Sequence, residues 1–271
     1  MTDEASSSWE TRELSDTASA VPLTLSCPSL PESVRLENNE IHIWCAALRD
    51  FDSELPRFQA ILSPAEQTRA ERFRFSKDRI NYVTRQGVRR LILARYLEQH
   101  PAKIAFCQGR FGKPEIKACP LPSALHFNDS HSGDLAIYAV TQDGPIGVDV
   151  EHLRPIPNFE AIASRFFSPR ETEMLRSLPA ESRTEGFFAC WTRKEAFLKA
   201  TGEGIGEGLA RVEVTLAPRE KPQVLHLSGD FRTQTGWQLR SFSPAPEYLA
   251  AIAFKNRNVS LSQWRIHAPL Y

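Results

Sequence analysis

The chain has 271 residues, with 33 basic and 33 acidic side chains and a formal net charge of zero. That balance, with no basic stripe, excludes bulk attraction to nucleic acid as the basis of function. The length suffices for one large or two small domains with a buried core.

No apolar run approaches the roughly 20 residues that cross a bilayer. Asp3 and Glu4 stand where a secretory signal would turn apolar. Five scattered cysteines, Cys27, Cys45, Cys107, Cys119 and Cys190, form no C-x-x-C pair. They read as reduced thiols of a cytoplasmic protein, not as a disulfide frame or zinc site.

Residues 1–38 are rich in Ser, Thr and acids, with Pro22, Pro28 and Pro31, and are expected to be a disordered tail. Alternation predicts a strand over 40–46. Ser63, with Pro64 first and Glu66 third in the following turn, signals a helix running to about residue 74. Ile80, Val83, Val88, Leu91 and Ile92 predict a longer helix over about 77–99, which Pro101 ends. Residues 103–142 read as short strands and loops. Asn128-Asp129-Ser130-His131-Ser132-Gly133 is loop-like by composition, and 135–140 is a buried strand. Gln142-Asp143-Gly144 signals a turn, so the next strand is expected to return as the hairpin partner of 135–140. Helices are expected over 158–167, 169–178 and about 182–200. Strands follow over 211–216, 223–228, 236–242 and 247–254.

Two segments carry chemistry. In the strand Gly147-Val148-Asp149-Val150-Glu151 the two carboxylates share one face. At about 5 Å and an effective dielectric of about 20 they repel by roughly 3 kcal/mol. Solvation or an intervening cation relieves this, and hard oxygens suit Mg²⁺. In the helix of 182–200, Phe187, Trp191 and Leu198 form an apolar stripe, with Glu195 and Lys199 neighbours on its flank. Alone, each feature has a plain reading: a polar sheet edge, and a solvated helix pair contributing a few tenths of a kcal/mol. The run Gly202-Glu203-Gly204-Ile205-Gly206-Glu207-Gly208 is no dinucleotide loop, because it follows a helix and its glutamates repel phosphate. Gly202 is expected to end that helix, with a flexible loop beyond.

Together, Gly-Val-Asp-Val-Glu and the later Trp191-Thr192-Arg193-Lys194-Glu195-Ala196-Phe197-Leu198-Lys199 resemble the two signatures of the Sfp-type 4′-phosphopantetheinyl transferases. Phe167-Ser168-Pro169-Arg170-Glu171, Gly112-Lys113-Pro114, Phe127-Asn128-Asp129-Ser130-His131-Ser132 and the helix opening at Leu62-Ser63-Pro64 agree in order. The resemblance covers roughly residues 40–255.

The resemblance implies an α/β fold of two similar halves, 39–144 and 145–271, each a small, mainly antiparallel sheet packed by helices. Coenzyme A would bind between them in a monomer. It implies transfer of the 4′-phosphopantetheine arm of coenzyme A to a serine of an apo acyl or peptidyl carrier protein. Asp149, Glu151 and Glu195 would hold Mg²⁺. Glu195 would accept the serine proton, directly or through water, and Lys199 would contact phosphate. Ser130 and His131 would bind phosphate oxygens, with Lys113 nearby. Arg69 fits the grip on the 3′-phosphate. Glu66 and Asn81 stand where relatives often carry a base, leaving Arg72, Arg79, Arg85 and Arg89 as candidate substitutes. Two rival readings are metal-dependent hydrolysis of a coenzyme A-like pyrophosphate and a non-catalytic coenzyme A or carrier binding module.

Overall fold

A two-residue strand, β1 (Ser26–Cys27), precedes β2 (Glu40–Ala47), the strand expected at 40–46. The computed structural model describes residues 26–27, 34–117 and 125–268. Most of the expected tail and Cys119 lie outside those residues. Strand β2 is buried on both faces: Ile41, Ile43 and Cys45 enter one core, Trp44 and Ala46 another.

A 3-10 stretch leads into α1 (Leu55–Ile61), a helix the apolar spacing does not announce. Then comes α2 (Pro64–Glu71), opened by the expected capping box, in which Ser63 N–H donates to the Glu66 carboxylate at 2.8 Å. The long helix α3 (Ser76–Leu97) ends at Glu98, whose φ is +48°. Strands β3 (Phe106–Gln108) and β4 (Pro114–Ile116) form a small hairpin.

Next come β5 (His126–Ser132), β6 (Leu135–Thr141) and β7 (Gly147–His152). Helices α4 (Phe159–Phe166), α5 (Pro169–Ser177) and α6 (Ala180–Thr201) match their expected spans closely. Gly202, at φ +73°, closes α6. The glycine-rich run beyond it contains a single helical turn, α7 (Ile205–Gly208), where a flexible loop is expected. The four strands expected next are β8 (Val212–Val214), β9 (Val224–Leu227), β10 (Gln238–Phe242) and β11 (Tyr248–Phe254). A fifth, β12 (Ser260–Ile266), is not announced by the sequence.

The hairpin expectation for β6 and β7 is wrong. The first sheet runs β1-β12-β2-β6-β5, and β7 belongs to a second, antiparallel sheet ordered β10-β11-β7. Strand β6 pairs with β5 across the two-residue turn Gly133-Asp134 instead. That turn uses φ +56° at Gly133, a conformation glycine adopts without a Cβ penalty.

Helix α3 covers one face of the first sheet, through Val88, Ile92 and Phe127 among others. Helix α6 covers one face of the second, against Leu239, Ala251 and Ala253. The two remaining faces meet in a third core, where Ile41, Ile43, Ile137 and Leu261 pack with Val148, Val150 and Ile252. The layer order is therefore helix, sheet, sheet, helix, in a mixed α/β fold.

Candidate active site

The site lies where β5 of the first sheet meets β7 of the second. Strand β5 is the segment whose composition reads as a loop; its polar side chains find partners on both faces, which is what permits a strand here. On one face Asn128, Ser130 and Ser132 recur every second residue and meet β7. Val148 N–H donates to Asn128 Oδ1 at 2.8 Å. Ser130 Oγ donates to Asp149 Oδ1 at 2.7 Å, and Ser132 Oγ donates to Glu151 Oε2 at 2.7 Å. His152 N–H donates back to Ser132 Oγ at 3.1 Å. Each acid of the D-x-E strand is thus held by one serine of β5.

Helix α6 crosses the same strand at Gly147. A Cβ built there would stand 2.1 Å from Ala196 O and 2.3 Å from Ala200 N. Only glycine allows this approach, and the approach sets Glu195 and Lys199 beside Asp149. Lys199 Nζ donates to Asp149 Oδ1 at 2.6 Å and to Ser130 Oγ at 2.9 Å, and stands 3.6 Å from Glu195 Oε2. The sequence assigns α6 a single apolar stripe. It is instead buried nearly all round, because the second sheet, α5 and β8 enclose it. Its Lys194 joins Glu171 of α5 at 2.5 Å and donates to Leu209 O at 2.7 Å, while Val214 N–H of β8 donates to Glu171 at 2.8 Å. That buried, fully hydrogen-bonded pair fixes the helix immediately before Glu195.

The Glu195 side chain keeps only 13% exposure and that of Lys199 20%. Burial, then the Asp149 and Glu151 carboxylates, push Glu195 up to about 8 against the pull of Lys199. Burial pulls Lys199 down, but Asp149 and Glu195 outweigh it and hold it above the ordinary lysine range. Burial also raises Glu151, with Asp149 adding to it.

On the other face of β5, Asp129 and His131 meet α3. Arg85 Nη1 lies 2.5 Å from His131 Nδ1, and Arg89 Nη1 is 3.5 Å from Asp129 Oδ1. Lys113 Nζ donates to Ile146 O at 2.8 Å and to Lys199 O at 2.7 Å, tying the β4 side of the first half to β7 and to the end of α6. Its burial pulls it down to about 8. Arg69 stands apart from this cluster. It lines a cleft of about 650 Å³ with Ala65, Thr68, Arg72, Phe73 and Gln108.

Glu66, where relatives often carry a base, receives Arg90 at 2.6 Å and Arg89 at 3.1 Å. The structure therefore brings together Ser130, Asp149, Glu195 and Lys199 directly, adds Glu151 through Ser132, and sets His131 and Lys113 at the margin. Asn128 and Ser132 are site residues that single-motif reasoning leaves without a role, and the two-residue period of 128, 130 and 132 is their signal; Arg85, a candidate for the 3′-phosphate grip, meets His131 instead.

Among the described residues, no three His, Cys, Asp or Glu side chains gather closely enough to hold a metal ion. The donor set nonetheless suits a hard cation. Asp149 Oδ2 is buried without a hydrogen-bond partner, Asp149 and Glu195 face one lysine, and Glu151 adds its repulsion on Glu195.

Residues 145–253 match the 4′-phosphopantetheinyl transferase superfamily, and residues 49–143 match the 4′-phosphopantetheinyl transferase N-terminal family. The chain is 40% identical over 223 residues to the 4′-phosphopantetheinyl transferase HetI of Nostoc sp., covering 82% of this chain and 91% of HetI. It is 34% identical over 163 residues to the 4′-phosphopantetheinyl transferase Sfp of Bacillus subtilis, covering 60% of this chain and 70% of Sfp. Among solved structures, a holo-(acyl-carrier-protein) synthase from Bacillus anthracis in complex with CoA (3′,5′-ADP) aligns at TM-score 0.33 and 27% identity, over 40% of this chain and 92% of that one. With two matched families dividing nearly its whole described length and a relative covered almost end to end, the chain belongs to the 4′-phosphopantetheinyl transferase superfamily.

Proposed function

We propose that the chain transfers the 4′-phosphopantetheine arm of coenzyme A to a serine of an apo carrier protein and releases adenosine 3′,5′-bisphosphate. The observation that carries this reading is the meeting of Glu195, Lys199 and Asp149 beside Ser130 at the junction of two sheets. The carrier serine Oγ attacks the pantetheine-side phosphorus, and the bond to the bridging pyrophosphate oxygen breaks. The serine proton passes to Glu195. Burial and its acidic neighbours raise the proton affinity of this carboxylate in the metal-free site, and a bound cation would lower it again toward the range of a general base at neutral pH. Lys199 offsets negative charge on the phosphate oxygens, His131 donates a hydrogen bond to them, and Ser130 reaches them by turning its hydroxyl proton away from Asp149. Asp149, Glu151 and Glu195 would have to draw closer together than they stand here to hold a divalent ion; Mg²⁺ suits their hard oxygens and would supply charge neutralisation at the pyrophosphate. Arg69 and Arg72 grip the 3′-phosphate in the cleft they line.

A division into halves at residues 144 and 145, with β12 of the second stretch returned to the first sheet, a monomeric state and a cytoplasmic location belong to the same proposal. Among the described residues, no helix is long and apolar enough to cross a membrane. The acceptor is an acyl or peptidyl carrier protein or a related carrier domain.

Intact mass measurement of apo carriers after incubation with coenzyme A and Mg²⁺ tests the reading; a gain of one phosphopantetheine arm is expected. Asp149→Ala and Glu195→Gln should each lower the rate about 100-fold or more while leaving the circular dichroism unchanged. Unmodified carriers across a panel, or full activity in either variant, overturn it.

A further inference from the structure

Arg85 enters from α3 and points its guanidinium at the ring of His131. A guanidinium only donates hydrogen bonds and stays protonated at any working pH. At 2.5 Å from Arg85 Nη1, His131 Nδ1 must therefore be the acceptor and carry no proton. The ring proton then sits on Nε2, the nitrogen turned away from the Arg85 contact, and the His131 residue is exposed. The other charged groups facing the ring are Asp129 from its own strand and Lys199 from α6. Across β6 its partner is Ala136, which carries no charge. Arg85 itself keeps a buried Nε with no hydrogen-bond partner.

We infer that Arg85 is a positioning residue: it locks His131 as a neutral Nε2–H donor and itself supplies the positive charge at this end of the phosphate site. The inference rests on the reading of His131 as a phosphate ligand. It divides two tasks usually asked of one histidine. The imidazole contributes direction, and the guanidinium contributes charge that does not change with pH. In line with this, burial and then Arg85 push His131 down to about 4. Asp129, which would pull the ring up, is paired with Arg89.

The test combines the ring titration of His131, followed by NMR, with calorimetric binding of coenzyme A at pH 6 and pH 8. Wild type, Arg85→Met and Arg85→Lys are compared. In wild type the ring should stay neutral from pH 5 to pH 8. In Arg85→Met it should rise clearly above the wild-type value while staying below the ordinary 6.5, because the burial that leads the depression remains, and in Arg85→Lys it should remain low, because an amine can still donate to Nδ1. At pH 8 Arg85→Met should bind coenzyme A about 10- to 100-fold more weakly than wild type, the size of a lost charged hydrogen bond.

The ratio of the two affinities cancels the titration of the coenzyme itself. It should be smaller at pH 6 than at pH 8, because part of the freed imidazole becomes charged there. A wild-type ring titrating near 6.5, or an affinity ratio near one at both pH values, overturns the inference. Failure of wild type to bind coenzyme A would refute the functional reading and with it the charge role. The ring titration decides the neutral-donor role by itself.

Discussion

Glu195 shows how a catalytic side chain can weaken the fold that carries it. Its folded-state proton affinity corresponds to a pKa of about 8 against an ordinary 4.5, with burial the leading cause. The folded state therefore binds a proton more tightly than the unfolded chain. Stability falls as pH rises from about 4.5 to about 8, and the full cost is present above that window. Glutamine has the same shape and no charge to desolvate. Glu195→Gln should raise the stability of the metal-free protein by about 1–3 kcal/mol at pH 8 and change it little at pH 5. On a chain this size that corresponds to a rise of several degrees in midpoint at the higher pH only. Thermal melts at both pH values check this; an equal shift at each would show that the carboxylate is not desolvated. Buried Lys194, the residue before it on the helix, is held by Glu171 and Leu209 O, and removing Glu171 would leave its charge uncompensated.

At the scale of elements, the carboxylate strand and the Glu195–Lys199 helix were legible because each motif ties chemistry to a regular spacing. What spacing does not convey is how closely the elements approach. Gly147 opens the Gly-Val-Asp-Val-Glu strand because α6 lies against it, backbone on backbone. A methyl group there meets Ala196 O and Ala200 N, which cannot swing aside as a side chain would. Gly147→Ala should cost about 3 kcal/mol or somewhat more. It should also shift Glu195 and Lys199 relative to Asp149, lowering transfer about 100-fold, the scale of a misplacement near 1 Å. Denaturant melts and initial rates check both; wild-type values for both would mean that α6 and β7 do not touch as described. Strand β5 was illegible for a different reason. Asn, Asp, Ser and Gly favour turns when nothing answers their side chains. Here Asn128, Ser130 and Ser132 are answered by β7, and His131 by Arg85, so tertiary contacts override local preference. Helix α1 escaped notice because it is only seven residues long, too short to display a period.

At the scale of the whole molecule, the site depends on two sheets staying in register, and the chain crosses between them more than once. After completing the second sheet it returns as β12 to lie parallel to β2 in the first. Polar residues on both of its faces, Ser260, Ser262, Gln263 and Arg265, hide this strand from a search for alternation. Its apolar residues serve different layers: Leu261 enters the core between the sheets, and Ile266 enters the core beneath α3. Trp264 stacks on Trp44 with ring centres 4.7 Å apart. A strand shared in this way should make the halves unfold together. Trp44 reports on the first sheet and Trp237 on the second core. Variants retaining one tryptophan or the other should show coincident denaturant midpoints. Ile266→Ala should lower both midpoints together, by about 2–4 kcal/mol, although the residue touches only the first core. If only the Trp44 signal moved, the halves would be separate folding units. The alignment of Ser130 with Asp149 would then rest on the β5–β7 contacts, the core between the sheets and the lysine bridges of Lys199 and Lys113, without help from β12.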